Sequence, residues 1–201
     1  MIFKPVGALS YDSLIGRKIT KLAQNNIVTC SMHTNMDVAV MAKESAKILE
    51  LGDVEYLEVT HVDEETKDIY GFGCIGTTHE KLSMEECVNL VKEKLNINNL
   101  RVIGDMTKSI NKIAILPGSG KSFINNVLKE NVDVLITGDI DYHSASDARD
   151  MGVSVIDAGH FETEYFFVDY MEGYLRNIFK ELGETSIIIE KAKEESPFRY
   201  V

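Results

Sequence analysis

A series of short apolar runs constrains this chain more than any other feature. Residues 100–103, 112–116, 132–137 and 153–156 are each rich in Val, Ile and Leu. Such runs are too short for a buried helix and too apolar for a solvated surface, so they read as strands. The turn Pro117-Gly118-Ser119-Gly120 leads into a helix that ends near Leu128, and residues 144–151 form a short helix closed by Gly152. Strands alternating with helices predict an α/β fold, with helices packed on the sheet.

The flanking segments fit this scheme. Leu14, Ile15, Ile19 and Leu22 mark a helix over residues 11–25, and residues 27–30 read as a short strand. Residues 38–51 read as a helix stopped by Gly52. Residues 54–60 and 69–75 are strand candidates around the acidic turn Asp63-Glu64-Glu65. Ser83-Met84-Glu85-Glu86 is a capping box opening a helix whose buried face carries Cys87, Leu90, Val91 and Leu95. The last helix is expected over residues 163–182. Phe167, Tyr170, Met171, Tyr174, Leu175, Ile178 and Leu182 form its core face. Residues 185–190 read as a final strand, followed by a charged, exposed tail.

The chemistry concentrates where strands end, the usual place for it in open α/β sheets. After residues 153–156 comes Asp157-Ala158-Gly159, then His160 and Glu164. One helical turn apart, an imidazole and a carboxylate can address the same point and hold a divalent metal. The same spacing also suits a surface hydrogen-bonded pair. His33-Thr34-Asn35-Met36-Asp37 follows another strand candidate, where Asn35 or Asp37 could equally serve as a helix cap. Thr137-Gly138-Asp139-Ile140-Asp141-Tyr142-His143 follows a third, and is otherwise an ordinary polar turn. Together they suggest one site of carboxylates and imidazoles, a donor set that favours zinc, manganese or iron over calcium.

Other chemistries fit less well. Gly118-Ser119-Gly120-Lys121-Ser122 resembles a phosphate loop, but Ile115 stands where the full pattern needs its first glycine. Cys30, Cys74 and Cys87 are odd in number and widely spaced, which argues against a disulfide framework and a cysteine zinc site. The formal net charge of −11 disfavours non-specific binding to nucleic acid or anionic membrane. No apolar run approaches the ~20 residues of a membrane span, and no export signal is visible. The cytoplasm is the expected setting.

Residues 28–37, 133–143 and 156–164 together resemble the NIF3-like (DUF34) family, also known as GTP cyclohydrolase 1 type 2 homologues. Residues 33–37 resemble its His-Thr-Asn-Leu-Asp segment. Residues 133–143 resemble its threonine-glycine and tyrosine-histidine strand and turn. Residues 156–164 resemble its closing Gly-His-aromatic-x-(Thr/Ser)-Glu motif. The resemblance covers essentially the whole chain, residues 1–201, as one NIF3-like domain. It implies mixed sheets covered by helices and a site for up to two divalent ions, zinc, iron or manganese, per subunit. Asp37, His160 and Glu164 match metal-ligand positions. His33 and His143 match cavity positions with catalytic, substrate-binding or supporting roles. The family carries a His-His-Pro motif near its start, and Met1-Ile2-Phe3-Lys4-Pro5 resembles the residues just after it. An incomplete N-terminal part, lacking two ligands, is therefore expected. The resemblance further implies a ring-like homo-oligomer, such as a hexamer, and a small-molecule substrate, with a nucleotide as one candidate. The implied function is metal-dependent hydrolysis, GTP cyclohydrolase-like. The alternative is a metal-binding, metal-delivery or regulatory interaction protein without turnover.

Overall fold

A computed structural model of the chain describes residues 6–200. The match of residues 1–5 to the segment after a His-His-Pro motif lies outside the described residues. The chain divides into two compact units, Met1–Met36 and Asp37–Val201.

In the first unit, α1 (Leu14–Gln24) begins where Ser13 Oγ accepts a hydrogen bond from the Gly16 N–H. A short turn, α2 (Thr34–Met36), ends the unit. Residues 27–30, expected as a strand, are irregular. A strand needs a partner for its backbone groups, and no described segment pairs with these residues. Val28 is 93% exposed.

The second unit opens with a π-helical turn, Asp37–Met41, that runs into α3 (Ala42–Ile48). A long hairpin follows, β1 (Gly52–Val62) and β2 (Ile69–Ser83). Asp63 Oδ1 holds its turn by accepting from the Glu65 and Thr66 amides. The expected capping box is present: Ser83 Oγ accepts from the Glu86 N–H, and the Glu86 carboxylate accepts from the Ser83 N–H. It opens α4 (Met84–Leu95). Then come β3 (Arg101–Ile103), β4 (Ser109–Ser119), a 3-10 turn at Lys121–Phe123, α5 (Ile124–Lys129), β5 (Val134–Gly138) and α6 (Tyr142–Asp150). The unit continues with β6 (Ser154–Asp157), α7 (His160–Glu164) and α8 (Phe166–Glu181).

The strands form one six-stranded mixed sheet in the order β1-β2-β4-β5-β6-β3. β4, β5 and β6 run parallel, and β1, β2 and β3 join by antiparallel pairs. Side chains alternate between the two faces, as the pleat dictates. Ile113, Ile115, Val134, Ile136 and Ile156 pack with Ala42, Ala46, Met84, Cys87 and Val91 from α3 and α4. Ala114, Leu116, Leu135 and Val155 pack with Ile124, Val127 and Ala148 from α5 and α6. The sheet is thus covered on both faces. Each fully buried Ile or Val contributes roughly 1.5–3 kcal/mol. Burial also pushes the Cys74 and Cys87 thiols up to about 12, which leaves them protonated and inert.

The C-terminal region departs from expectation. The last helix is two, with a break at Tyr165, and it begins at His160. Its expected core face of Phe167, Tyr170, Met171, Tyr174, Leu175, Ile178 and Leu182 is not a core face: no residue of α8 is buried, and Leu182 is 68% exposed. The stripe has helical periodicity, but periodicity reports that a face can be buried and not what covers it. The tail instead meets the polar side, where Lys191 bridges Asp169 at 2.7 Å and Glu172 at 3.1 Å. Residues 185–190 are irregular and not a strand, since no described strand pairs with them.

Candidate metal centre

Because β4, β5 and β6 are parallel, their carboxyl ends share one edge. Ser119 pairs with Gly138, and Thr137 pairs with Asp157. Every chain segment leaving that edge starts a turn that has been given room. Gly118 has φ +75°, and a Cβ there would lie 2.3 Å from Glu164 Oε1. A Cβ on Gly138 would lie 2.4 Å from the His160 nitrogen. Thr163, fully buried, accepts the Gly118 N–H at 2.9 Å and so fastens α7 against the end of β4.

His160 sits between two carboxylates. Its Nδ1 lies 2.7 Å from Asp139 Oδ2, and its Nε2 lies 3.3 Å from Glu164 Oε2. The three side chains are 45%, 48% and 39% exposed, in the order His160, Asp139, Glu164. Partial burial alone lowers the His160 pKa. The hydrogen bond that the ring donates to Asp139, the charges of Glu164 and Asp139 and the weaker contact with Glu164 outweigh it, so the imidazole is held above its ordinary value. A raised folded pKa means that charged His160 stabilises the metal-free protein below the ordinary imidazole pKa of 6.5, and that this contribution is lost as pH rises through the raised value. His160→Gln is therefore expected to flatten that part of the stability profile, measured by urea unfolding across neutral pH. An unchanged slope would contradict it.

The other predicted residues lie on other elements. Asp37, half-buried, opens the π-helical turn of the second unit. His33 belongs to the first unit, where its backbone N–H, just before α2, donates to Oδ1 of Asn35 within that turn at 2.9 Å. His143 is exposed on α6 with its ring edge-on to Tyr142, and among the described residues it is not hydrogen-bonded to His160, Asp139 or Glu164. Asp141 caps α6. The Ser144 amide and then the Lys121 ammonium hold its carboxyl well below the usual range. Lys121 thereby has a role in an ion pair, not in a phosphate loop.

Two participants escaped the sequence reading. Asp139 was visible only as part of a polar turn, and Arg101 lies on β3, remote in sequence. Buried Asp157 accepts from the Ile140 N–H at 3.2 Å, from the Gly159 N–H at 3.1 Å and from Arg101, tying together the turns that carry Asp139 and His160. The signal available for Asp139 was its place directly after a glycine at a strand end, since Asp tolerates a left-handed backbone.

The donors can be tested against a metal. Among the described residues no group of three or more His, Cys, Asp or Glu side chains is gathered as ligands. The pair of His160 and Glu164 does fit. Ligands about 2.0–2.1 Å from a tetrahedral ion stand about 3.3 Å apart, the separation of Nε2 and Oε2. A carboxylate on the other ring nitrogen is the arrangement that orients a metal-binding histidine.

Residues 1–196 match the family profile described as Duf34/NIF3 (NGG1p interacting factor 3). The chain is 32% identical over 200 residues to the GTP cyclohydrolase 1 type 2 homolog of Clostridium acetobutylicum, covering 100% of this chain and 74% of that protein. It is 35% identical over 167 residues to the protein of the same name from Clostridium perfringens, covering 82% of this chain and 62% of that one. The crystal structure of Staphylococcus aureus protein SA1388 matches with a TM-score of 0.85 at 26% identity, covering 100% of this chain and 78% of that chain. A Bacillus cereus protein related to NIF3 shares the fold with a TM-score of 0.89 at 21% identity, covering 100% of this chain and 81% of that one. With a profile match along nearly its whole length and a relative above 30% identity, the chain belongs to the Duf34/NIF3 family.

Proposed function

We propose that this protein is a metal-dependent hydrolase of the NIF3-like type. The observation that supports the proposal best is the His160–Glu164 pair, spaced as adjacent ligands at the carboxyl edge of a parallel sheet. His160 and Glu164 would hold zinc, iron or manganese, with Asp37 as a further donor and up to two ions per subunit. The ion, when bound, supplies Lewis acidity and hydroxide at neutral pH. His33 and His143 are the candidates for proton transfer or substrate contact. Both are exposed. The name of the clostridial relatives makes a small nucleotide, opened by GTP cyclohydrolase-like hydrolysis, the first substrate to try.

The same proposal places the protein in the cytoplasm, consistent with three free cysteines. Among the described residues no helix is long and apolar enough to cross a membrane. It also includes assembly into a ring-like homo-oligomer, a hexamer among the closed forms. A second reading is metal binding or delivery without turnover, or a regulatory interaction role; the His160–Glu164 pair, two half-exposed donors, suits weak and exchangeable binding.

Metal content of the purified chain, measured by elemental mass spectrometry, tests the proposal. Bound metal is expected in the wild type, with loss in Asp37→Ala and in His160→Ala while circular dichroism stays unchanged. Equal metal content in all three proteins would sink the assignment. Metal without hydrolysis of any nucleotide would favour the second reading.

A further inference from the structure

We infer that Asp139 is the positioning residue of this site: it accepts a hydrogen bond from the Nδ1–H of His160 and so leaves Nε2 unprotonated, with its lone pair on the side of Glu164. The inference rests on the metal-site reading for its purpose, but its geometry stands without a metal. A neutral imidazole carries one proton, and two carboxylates compete for it. Asp139 Oδ2 is 2.7 Å from Nδ1, whereas Glu164 Oε2 is 3.3 Å from Nε2, the longer and weaker of the two contacts. The proton therefore belongs on Nδ1. Were it on Nε2, the ring would donate to Glu164 and neither group could serve as a ligand.

The fold maintains Asp139 in a conformation it would not otherwise choose. Its φ is +58°, a left-handed backbone that costs a non-glycine residue roughly 1–2 kcal/mol. The next residue explains how it is kept. The Ile140 N–H is held by Asp157, and the same carboxylate holds the Gly159 N–H just before His160. A second tie runs from the Ala158 N–H to the Thr137 carbonyl at 2.8 Å. One buried carboxylate thus sets both ends of the Asp139–His160 contact. A turn built only to reverse the chain would be more stable with glycine at position 139.

Asp139→Gly separates the two roles, because glycine accepts the left-handed backbone and removes only the carboxylate. The first measurement is the nitrogen spectrum of 15N-histidine-labelled full chain, stripped of metal, at about pH 9, where imidazole is neutral. Wild-type His160 is expected to carry its proton on Nδ1. In Asp139→Gly the proton is expected to move to Nε2, toward Glu164. The second measurement is a titration of both proteins with zinc alone. Affinity is expected to fall roughly 10–100-fold in Asp139→Gly, with no loss of thermal stability in the metal-free state at about pH 9, where the charged form of His160 no longer contributes. A wild-type proton on Nε2, or the same tautomer in both proteins, overturns the inference, as does zinc binding of equal, measurable affinity in both. Expected tautomers with no zinc binding to the wild type would uphold the positioning role and remove the metal reading instead.

Discussion

Gly138→Ala is expected to destabilise the protein by about 3 kcal/mol or more, near the upper end of the range for overpacking. The added Cβ would lie 2.4 Å from the His160 nitrogen, 2.5 Å from the Gly159 carbonyl carbon and 2.7 Å from His160 Cα. All three are backbone atoms, so no side-chain rotation relieves the clash. The end of β5 must separate from the start of α7, and the ring of His160 must move with it. For a chain of this size the effect corresponds to about 6–12 °C in Tm. Gly173→Ala is the control: nothing stands within 4 Å of its Cβ, and it lies inside α8. That change is expected to stabilise by roughly 0.5–1 kcal/mol, since alanine restricts the unfolded chain and favours helix. Urea unfolding of both variants checks the pair, and matching midpoints would refute the steric account.

Asp157→Ala is expected to cost about 2–5 kcal/mol. It leaves the Ile140 and Gly159 amides without their acceptor, at roughly 1–3 kcal/mol for each buried orphan. The Arg101 ion pair matters less, because the Arg101 side chain is 64% exposed while Asp157 is 4% exposed, and the freed guanidinium returns to water. Magnitude therefore assigns most of the loss to the two amides. Asp157→Asn, which keeps one acceptor oxygen, should lose less than Asp157→Ala. Arg101→Ala made in the Asp157→Ala background should add little further loss. A full additive loss in the double variant would mean that Arg101 stabilises the fold through its 2.8 Å hydrogen bond to the Ile140 carbonyl instead.

The parallel half of the sheet was legible from its residues. Runs such as 132–137 and 153–156 carry their apolar character on both faces, as strands buried on both sides must. The pair of His160 and Glu164 was legible for a related reason, since a spacing of one helical turn is a local property. What escaped depends on partners distant in sequence. Residues 27–30 and 185–190 have strand-like composition, yet a strand exists only where another chain segment completes its ladder. The stripe on α8 has the right period, and period alone does not bring anything to cover it. Asp139 was seen as turn polarity because its φ and its contact with His160 arise only when β5 and β6 lie side by side. Gly118 looked like part of a phosphate loop, whereas its missing side chain makes space for Glu164.

β3 has three residues, lies at the sheet edge and follows only β6, with Arg101 paired directly to Asp157. It also precedes β4 in the chain, so it can dock only once β6, about 50 residues later, is in place. A short edge strand closed over so long a loop is late to form and early to open. Opening takes Arg101 away from Asp157 while the rest of the sheet stays paired. The two amides that Asp157 accepts from remain paired in that event, so the turns carrying Asp139 and His160 keep their tie without the edge strand.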